Sequence, residues 1–180
     1  SLLNRPTRLN PFCHLPDNHI SESERENSMR EMDKPGKIMI WTIGHSNHPI
    51  ERFMALLEEN RIQLLADVRR FPKSKIEHFK REQMEEWLPK RRIRYTWLGN
   101  RLGGYRRGGY EAYTETEEFR EGLKELLTFA GMKRTCIMCL EPDPENCHRR
   151  FIAAYLEKEG VEVIHILKKG RGASSILQVP

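Results

Sequence analysis

Five short apolar runs recur along the chain from residue 37 onward: 37–43 (KIMIWTI), 63–68 (QLLADV), 93–98 (IRYTWL), 135–140 (TCIMCL) and 161–167 (VEVIHIL). Each is strand-length, rich in branched and aromatic residues, and bounded by Gly or polar clusters, which predicts five strands. Between them the apolar period changes to that of a helix. Ile50, Phe53, Leu56 and Leu57 mark a helix over 49–60, with Asn47 or His48 near its start; Met84, Trp87 and Leu88 mark one over 80–89. Phe119, Leu123, Leu126 and Leu127 mark a third over 116–131, ended by Gly131. Phe151, Ile152, Tyr155 and Leu156 mark a fourth over 147–160, ended by Gly160. Strands alternating with helices imply mostly parallel pairing, in an open α/β sheet with helices on both faces. No internal repeat is visible.

The flanks differ from this body. Residues 1–36 carry Pro6, Pro11, Pro16 and Pro35 among scattered charges and show no sustained period, so an N-terminal extension with little stable structure is expected. Residues 37–168 form the single predicted domain, and 169–180 a Gly/Ser-containing tail. At 180 residues the chain is long enough for a core without disulfide or metal staples. Apolar residues make up 38% and charged residues 32%, which excludes a fibrous or fully disordered chain. No apolar run approaches the ~20 residues of a membrane span, and the first thirty residues lack the apolar core of a secretory signal. A cytoplasmic protein with reduced cysteines, not associated with membrane, is therefore expected. Oligomeric state is not legible.

Charge changes the picture. Residues 69–107 hold thirteen Lys/Arg against four Asp/Glu, a net +9 in a chain whose total is +5. A cationic block on a mildly acidic remainder suits an anionic partner such as nucleic acid or a nucleotide. It equally suits a solvated face, or arginines paired with Glu-rich helices.

In open α/β sheets ligands bind beyond the carboxyl ends of the strands, and the unusual residues fall there. The first strand leads into Gly44-His45-Ser46-Asn47. The second carries Asp67 and Arg69, then Arg70-Phe71-Pro72-Lys73-Ser74. The third runs into Gly99 and then Gly103-Gly104-Tyr105-Arg106-Arg107. The fourth delivers Cys139 and Glu141, and its loop reaches Cys147-His148-Arg149. Taken singly, each piece has an ordinary structural explanation: a turn glycine, a helix cap, a local Asp67–Arg69 pair. Together they mark a crevice. The glycine loop is neither a Walker loop nor a dinucleotide fingerprint, and no cofactor is expected. Its glycines admit close approach of backbone, Arg106 and Arg107 offer phosphate contacts, and Tyr105, Tyr110 and Tyr113 offer flat faces for a base.

Cys136-x-x-Cys139 with Cys147-His148 invites a zinc reading. Residues 136 and 139 of a strand point to opposite faces, however, so a four-ligand site is disfavoured and no metal is assigned. A smaller set of Cys139, Cys147 and His148 stays open, whereas Cys13, His14 and His19 of the N-terminal extension form a weak alternative. Cys139 and Glu141 share a face at the strand end. Cys147, His148 and Arg149 are expected in the first turn of a helix, where a thiol is acidified and an anion favoured. His165 reads as a core histidine.

The run Thr42-Ile-Gly44-His45-Ser46-Asn47, then Asp67-Val-Arg69 with Pro72 and Ser74, then Leu98-Gly99 and Leu102-Gly103-Gly104, then Cys139-x-Glu141 with Pro144 and Cys147-His148-Arg149, and finally Val163-Ile-His165-Ile, resembles the domain of unknown function 488 family. The resemblance spans residues 38–168. It implies a compact three-layer Rossmann-like α/β domain and no settled activity.

Two classes of function follow. The first is an enzyme acting on a nucleotide or nucleic acid, with N-glycosidic bond cleavage of the DNA-glycosylase type as its most concrete form. Glu141, Asp67, His45, Cys139 and Cys147 are the catalytic candidates. Ser46, Asn47, Arg69, Ser74, Gly103, Gly104, Tyr105, Arg106, His148 and Arg149 are the substrate- and phosphate-binding candidates. The second is a non-catalytic nucleic-acid or nucleotide binding module. A thiol- or metal-dependent protein resting on Cys139 and Cys147 is a further alternative.

Overall fold

The computed structural model describes residues 36–167; the expected N-terminal extension and C-terminal tail, with Cys13, His14 and His19, lie outside the described residues. Five parallel strands form one sheet: β1 (Met39–Gly44), β2 (Leu64–Asp67), β3 (Arg94–Trp97), β4 (Thr135–Cys139) and β5 (Glu162–Ile166). The strand order is β3-β2-β4-β1-β5. Six helices connect them: α1 (Ile50–Glu59), α2 (Arg81–Lys90), α3 (Gly99–Leu102), α4 (Tyr110–Tyr113), α5 (Glu117–Met132) and α6 (Arg149–Lys158). The three inner strands are almost wholly buried, whereas the edge strands β3 and β5 are mostly half-buried. This is why β2 and β4 read as continuous apolar runs.

Side-chain alternation splits the core into two layers. Ile40, Leu64, Ala66, Ile137 and Cys139 face α5 and α6 through Phe119, Leu123, Leu126, Ile152 and Leu156. Trp41, Ile43, Leu65, Cys136 and Met138 face α1 and α2 through Phe53, Leu56, Leu57, Met84 and Leu88. The expected three-layer Rossmann-like α/β architecture is the one observed, with all strands parallel.

Element ends differ in detail. Helix α1 starts after Pro49 and has no side-chain cap, whereas Thr116 caps α5 by accepting the Phe119 N–H. Gly131 does not end α5. The helix runs one residue further, to Met132, and the Lys133 N–H still reaches the Phe129 carbonyl. Gly160 does end its helix region: at φ +81° it lets its own N–H bond Glu157 and the Val161 N–H bond Leu156, a Schellman closure. Cys147 and His148 were expected inside α6, but the helix begins at Arg149. A 3-10 turn at Pro144–Asn146 takes up the preceding chain, with Asp143 accepting the Glu145 N–H. Helices α3 and α4 had no periodic signal, being four residues each.

The strand order places the functional end. Connections from β1 and β2 pass over the α1/α2 face, and those from β3 and β4 over the α5/α6 face. The loops leaving β4 therefore diverge from those leaving its neighbours β1 and β2. A crevice opens at such a switch point.

Candidate active site

A cleft of about 940 Å³ lies at this point. Three groups of side chains build it.

The first group is its floor. Asp67, fully buried at the end of β2, accepts from the Arg69 backbone N–H (3.0 Å) and Nε (2.9 Å) on Oδ1. Its Oδ2 accepts from Arg69 Nη2 (2.6 Å) and from the Tyr95 hydroxyl (2.6 Å). Burial and the Asp67 carboxylate push the Tyr95 phenol far above its ordinary range, so it stays a donor. Arg69 Nη1 donates to the Phe79 carbonyl (2.8 Å) and lies 3.3 Å from His45 Nε2. His45 Nδ1–H donates to the Ser46 carbonyl (2.9 Å), which leaves Nε2 to accept from Arg69. Burial, then the Arg69 charge, lower the His45 pKa to about 4, so the ring is neutral. Asp67 itself does not reach the cleft; Arg69 and His45 line it.

The second group is a thiol–imidazole cluster. Cys139, Cys147 and His148 bring two Sγ atoms and a ring nitrogen within 4.8 Å of one another. His148 Nδ1 is 3.9 Å from Cys139 Sγ and 3.7 Å from Cys147 Sγ. His148 Nε2–H donates to the Val68 carbonyl at 3.0 Å. Hydrogen bonding from Cys139, with His148 and Arg149 beside it, holds the Cys147 thiol below the usual range; the same contact and burial push Cys139 up. Arg149 is 1% exposed and does not line the cleft. Its Nε donates to Cys147 Sγ (3.5 Å), Nη1 to Thr42 Oγ1 (3.1 Å) and Nη2 to the Glu141 carbonyl. Thr42 in turn meets His165 Nδ1 at 2.7 Å. Arg149 thus ties β1, the Glu141 loop and Cys147 together beneath the site. Cys136 lies in the opposite core layer, as its strand parity requires.

The third group is the rim. Arg70, Lys73 and Lys75 line one wall with Ser74, whose Oγ accepts the Ile76 N–H. No ion pair among the described residues involves these three cations. Phe71 and Tyr105, 61% and 87% exposed, face each other at 6.4 Å. Tyr105 holds φ +56°, an uncommon conformation for a side chain of this size. Glu141, exposed, is the carboxylate among the lining residues.

Two glycines shape the cleft. A Cβ on Gly44 would lie 1.8 Å from the Glu141 carbonyl oxygen, so only glycine lets the β1 and β4 loops touch there. A Cβ on Gly104 would stand 3.1 Å from His148 Nδ1. The remaining sequence candidates sit outside. Ser46 (φ +44°) ties its loop to the Leu140 carbonyl, and Asn47 is exposed beside it. Gly103 is buried against Arg70. Arg106 donates to the Gly103 and Asn100 carbonyls and lies 3.9 Å over the Tyr113 ring, securing the end of α3. Tyr110 does line the cleft, its ring 4.9 Å from His148, while Tyr113 is buried. The sequence places Arg70, Phe71 and Lys73 in the loop after the second strand, but assigns no site role to them or to Lys75. Their signal was an exposed aromatic interleaved with cations directly after a strand.

The model of one family, Domain of unknown function DUF488, matches residues 49–156, more than half of the chain. The matched span holds Asp67, Arg69, Cys139, Glu141, Cys147 and His148, and leaves out β1 and β5. No protein of curated function matches the chain.

Proposed function

Because the chain belongs to the DUF488 family, a domain without an assigned activity, we propose from its cleft that it is an enzyme acting on a nucleotide or nucleic acid by cleaving an N-glycosidic bond. One observation carries this reading: a cationic wall, an aromatic lip and a carboxylate meet in one cleft. Arg70, Lys73 and Lys75 suit phosphate oxygens, which need donors free of competing carboxylates. Phe71 and Tyr105 suit the flat face of a base, since stacking is worth ~1–3 kcal/mol per base. Between them Glu141 meets the sugar. Its carboxylate stabilises the positive charge that develops at the anomeric carbon and takes a proton from the attacking water. The water oxygen bonds to that carbon, the carbon–nitrogen bond breaks, and the base leaves with the bond's electron pair and takes up the proton that Glu141 removed from the water. Asp67 is excluded from direct contact by burial under Arg69 and Tyr95. His45 has its lone pair engaged by Arg69, so acid–base work falls to Glu141.

The test is base release from single-stranded and duplex oligonucleotides carrying deaminated, oxidised or alkylated bases, with Glu141→Gln alongside. Release that vanishes in the variant while binding persists is expected. Equal release from both proteins overturns the role of Glu141. Salt-sensitive binding with no release from any substrate favours the non-catalytic binding module.

A further inference from the structure

We propose that Cys139, Cys147 and His148 form a zinc site with three protein ligands and a fourth position open to the cleft. The inference stands apart from the nucleotide reading, because it concerns the metal alone.

Four observations carry it. The first is distance. With Zn–S near ~2.3 Å and Zn–N near ~2.0–2.1 Å, a tetrahedral ion sets sulfur and nitrogen about 3.6 Å apart. The observed separations from His148 Nδ1 are 3.7 and 3.9 Å, and all three ligand atoms lie within 4.8 Å of one another. The two sulfur–nitrogen separations thus stand within a few tenths of an ångström of the tetrahedral value.

The second is the tautomer. His148 Nε2 faces the Val68 carbonyl at 3.0 Å, an acceptor, so that nitrogen carries the proton. Nδ1 is then a bare lone pair directed at two sulfurs. A metal-ligating histidine has this outer bond as a rule, since it fixes the ring and raises its basicity.

The third is outer-shell support for a thiolate. Arg149 donates to Cys147 Sγ at 3.5 Å from a buried position, itself fixed by Thr42 and the Glu141 carbonyl. The fourth is space. Gly104 has no side chain where a methyl group would stand 3.1 Å from His148 Nδ1.

Two thiolates and an imidazole favour zinc among the common divalent ions of a cell, whereas Mg²⁺ and Ca²⁺ demand oxygen ligands. All three residues line the cleft. The open fourth position is the arrangement of catalytic rather than closed structural zinc sites. Cys136 takes no part, because β4 turns it into the other core layer.

The experiment uses the full chain, reduced and stripped with a chelator, then titrated with Zn²⁺ and separately with Co²⁺. One equivalent of each is expected to bind, with a near-ultraviolet thiolate-to-cobalt band and the intense visible bands of a tetrahedral ion. Cys147→Ser and His148→Ala should weaken zinc binding by more than the ~10–100-fold typical of losing an outer-shell partner. Gly104→Ala, which keeps all three ligands, should weaken it as well. Cys136→Ser and Cys13→Ser should bind as the parent does, which separates this site from the other thiols. Circular dichroism of the metal-free variants checks that each is folded. No binding at stoichiometric metal, a cobalt complex without the thiolate band, or zinc retained unchanged by folded Cys147→Ser overturns the proposal.

Discussion

Replacing Asp67 by Asn tests the floor of the cleft most directly. The carboxylate accepts four hydrogen bonds, two on each oxygen, from Arg69 and Tyr95. The asparagine amide keeps one acceptor oxygen and turns the other into a donor, so two bonds are lost and donors face donors. At ~1.5–3 kcal/mol for each bond involving a charged group, the loss is several kcal/mol. Removing one partner of a buried pair costs about 3–5 kcal/mol by direct comparison, and Asp67 and Arg69 are 0% and 5% exposed at their side chains. We therefore expect ~3–5 kcal/mol of destabilisation. With an m-value of roughly 2 kcal/mol per molar urea, the unfolding midpoint should fall by about 2 M. The double variant Asp67→Leu/Arg69→Met should recover part of that, because no buried charge is then left unpaired. A midpoint for Asp67→Asn within ~0.5 M of the parent would refute this account of the floor. Lost base release in an equally stable variant would move Asp67 from support into the reaction.

Other outcomes follow from the same geometry. The His45 pKa is about 4 in the folded chain against 6.5 ordinarily, so the unfolded chain binds more protons between those values. Stability should be full above pH 6.5 and fall by roughly 3 kcal/mol on acidification to pH 4; urea midpoints across this range should flatten in His45→Asn. Burial and Arg149 lower His165 in the same direction, so some slope should survive that change. Gly44→Ala must separate two backbones now in contact, and overpacking of this kind costs ~1–3 kcal/mol. Its thermal midpoint should drop, whereas Gly131→Ala, with open space around it, should leave stability unchanged or raised.

The periodic part of the fold was legible because buried parallel strands carry unbroken apolar runs. The separation of Cys136 from Cys139 was legible too, since strand parity alone decides it. Strand order was not. Nothing in TCIMCL says that β4 inserts between β1 and β2, yet that insertion brings His45, Arg69 and Cys139 to one cleft. Arg106 looked like a phosphate ligand because its partners, the carbonyls ending α3, leave no mark on side-chain identity. Arg149 looked like an anion clamp for a similar reason: its role depends on Thr42, 107 positions away.

The basic block itself divides once folded. Lys80, Arg81, Lys90, Arg91 and Arg101 pair with glutamates. Arg94 lies over Phe129 and Arg106 over Tyr113. Arg69 is neutralised by Asp67. What lines the cleft without an ion pair among the described residues is Arg70, which lies over the Phe71 ring, with Lys73 and Lys75; Glu141 belongs to the same lining. This makes salt dependence a measure of where an anionic ligand sits. A single strand confined to the cleft neutralises about three cations, so log K against log salt should slope near −2, at ~0.7 per phosphate. A strand spread over the whole block, and neutralising its net charge of +9, would give about −6 at the same ~0.7 per phosphate. In the first case Lys73→Ala/Lys75→Ala should remove most of the slope, because two of its three cations are gone. A steep slope that this double variant leaves unchanged would place the ligand on the outer helices and away from Glu141, and the cleft would lose its claim to be where nucleic acid binds.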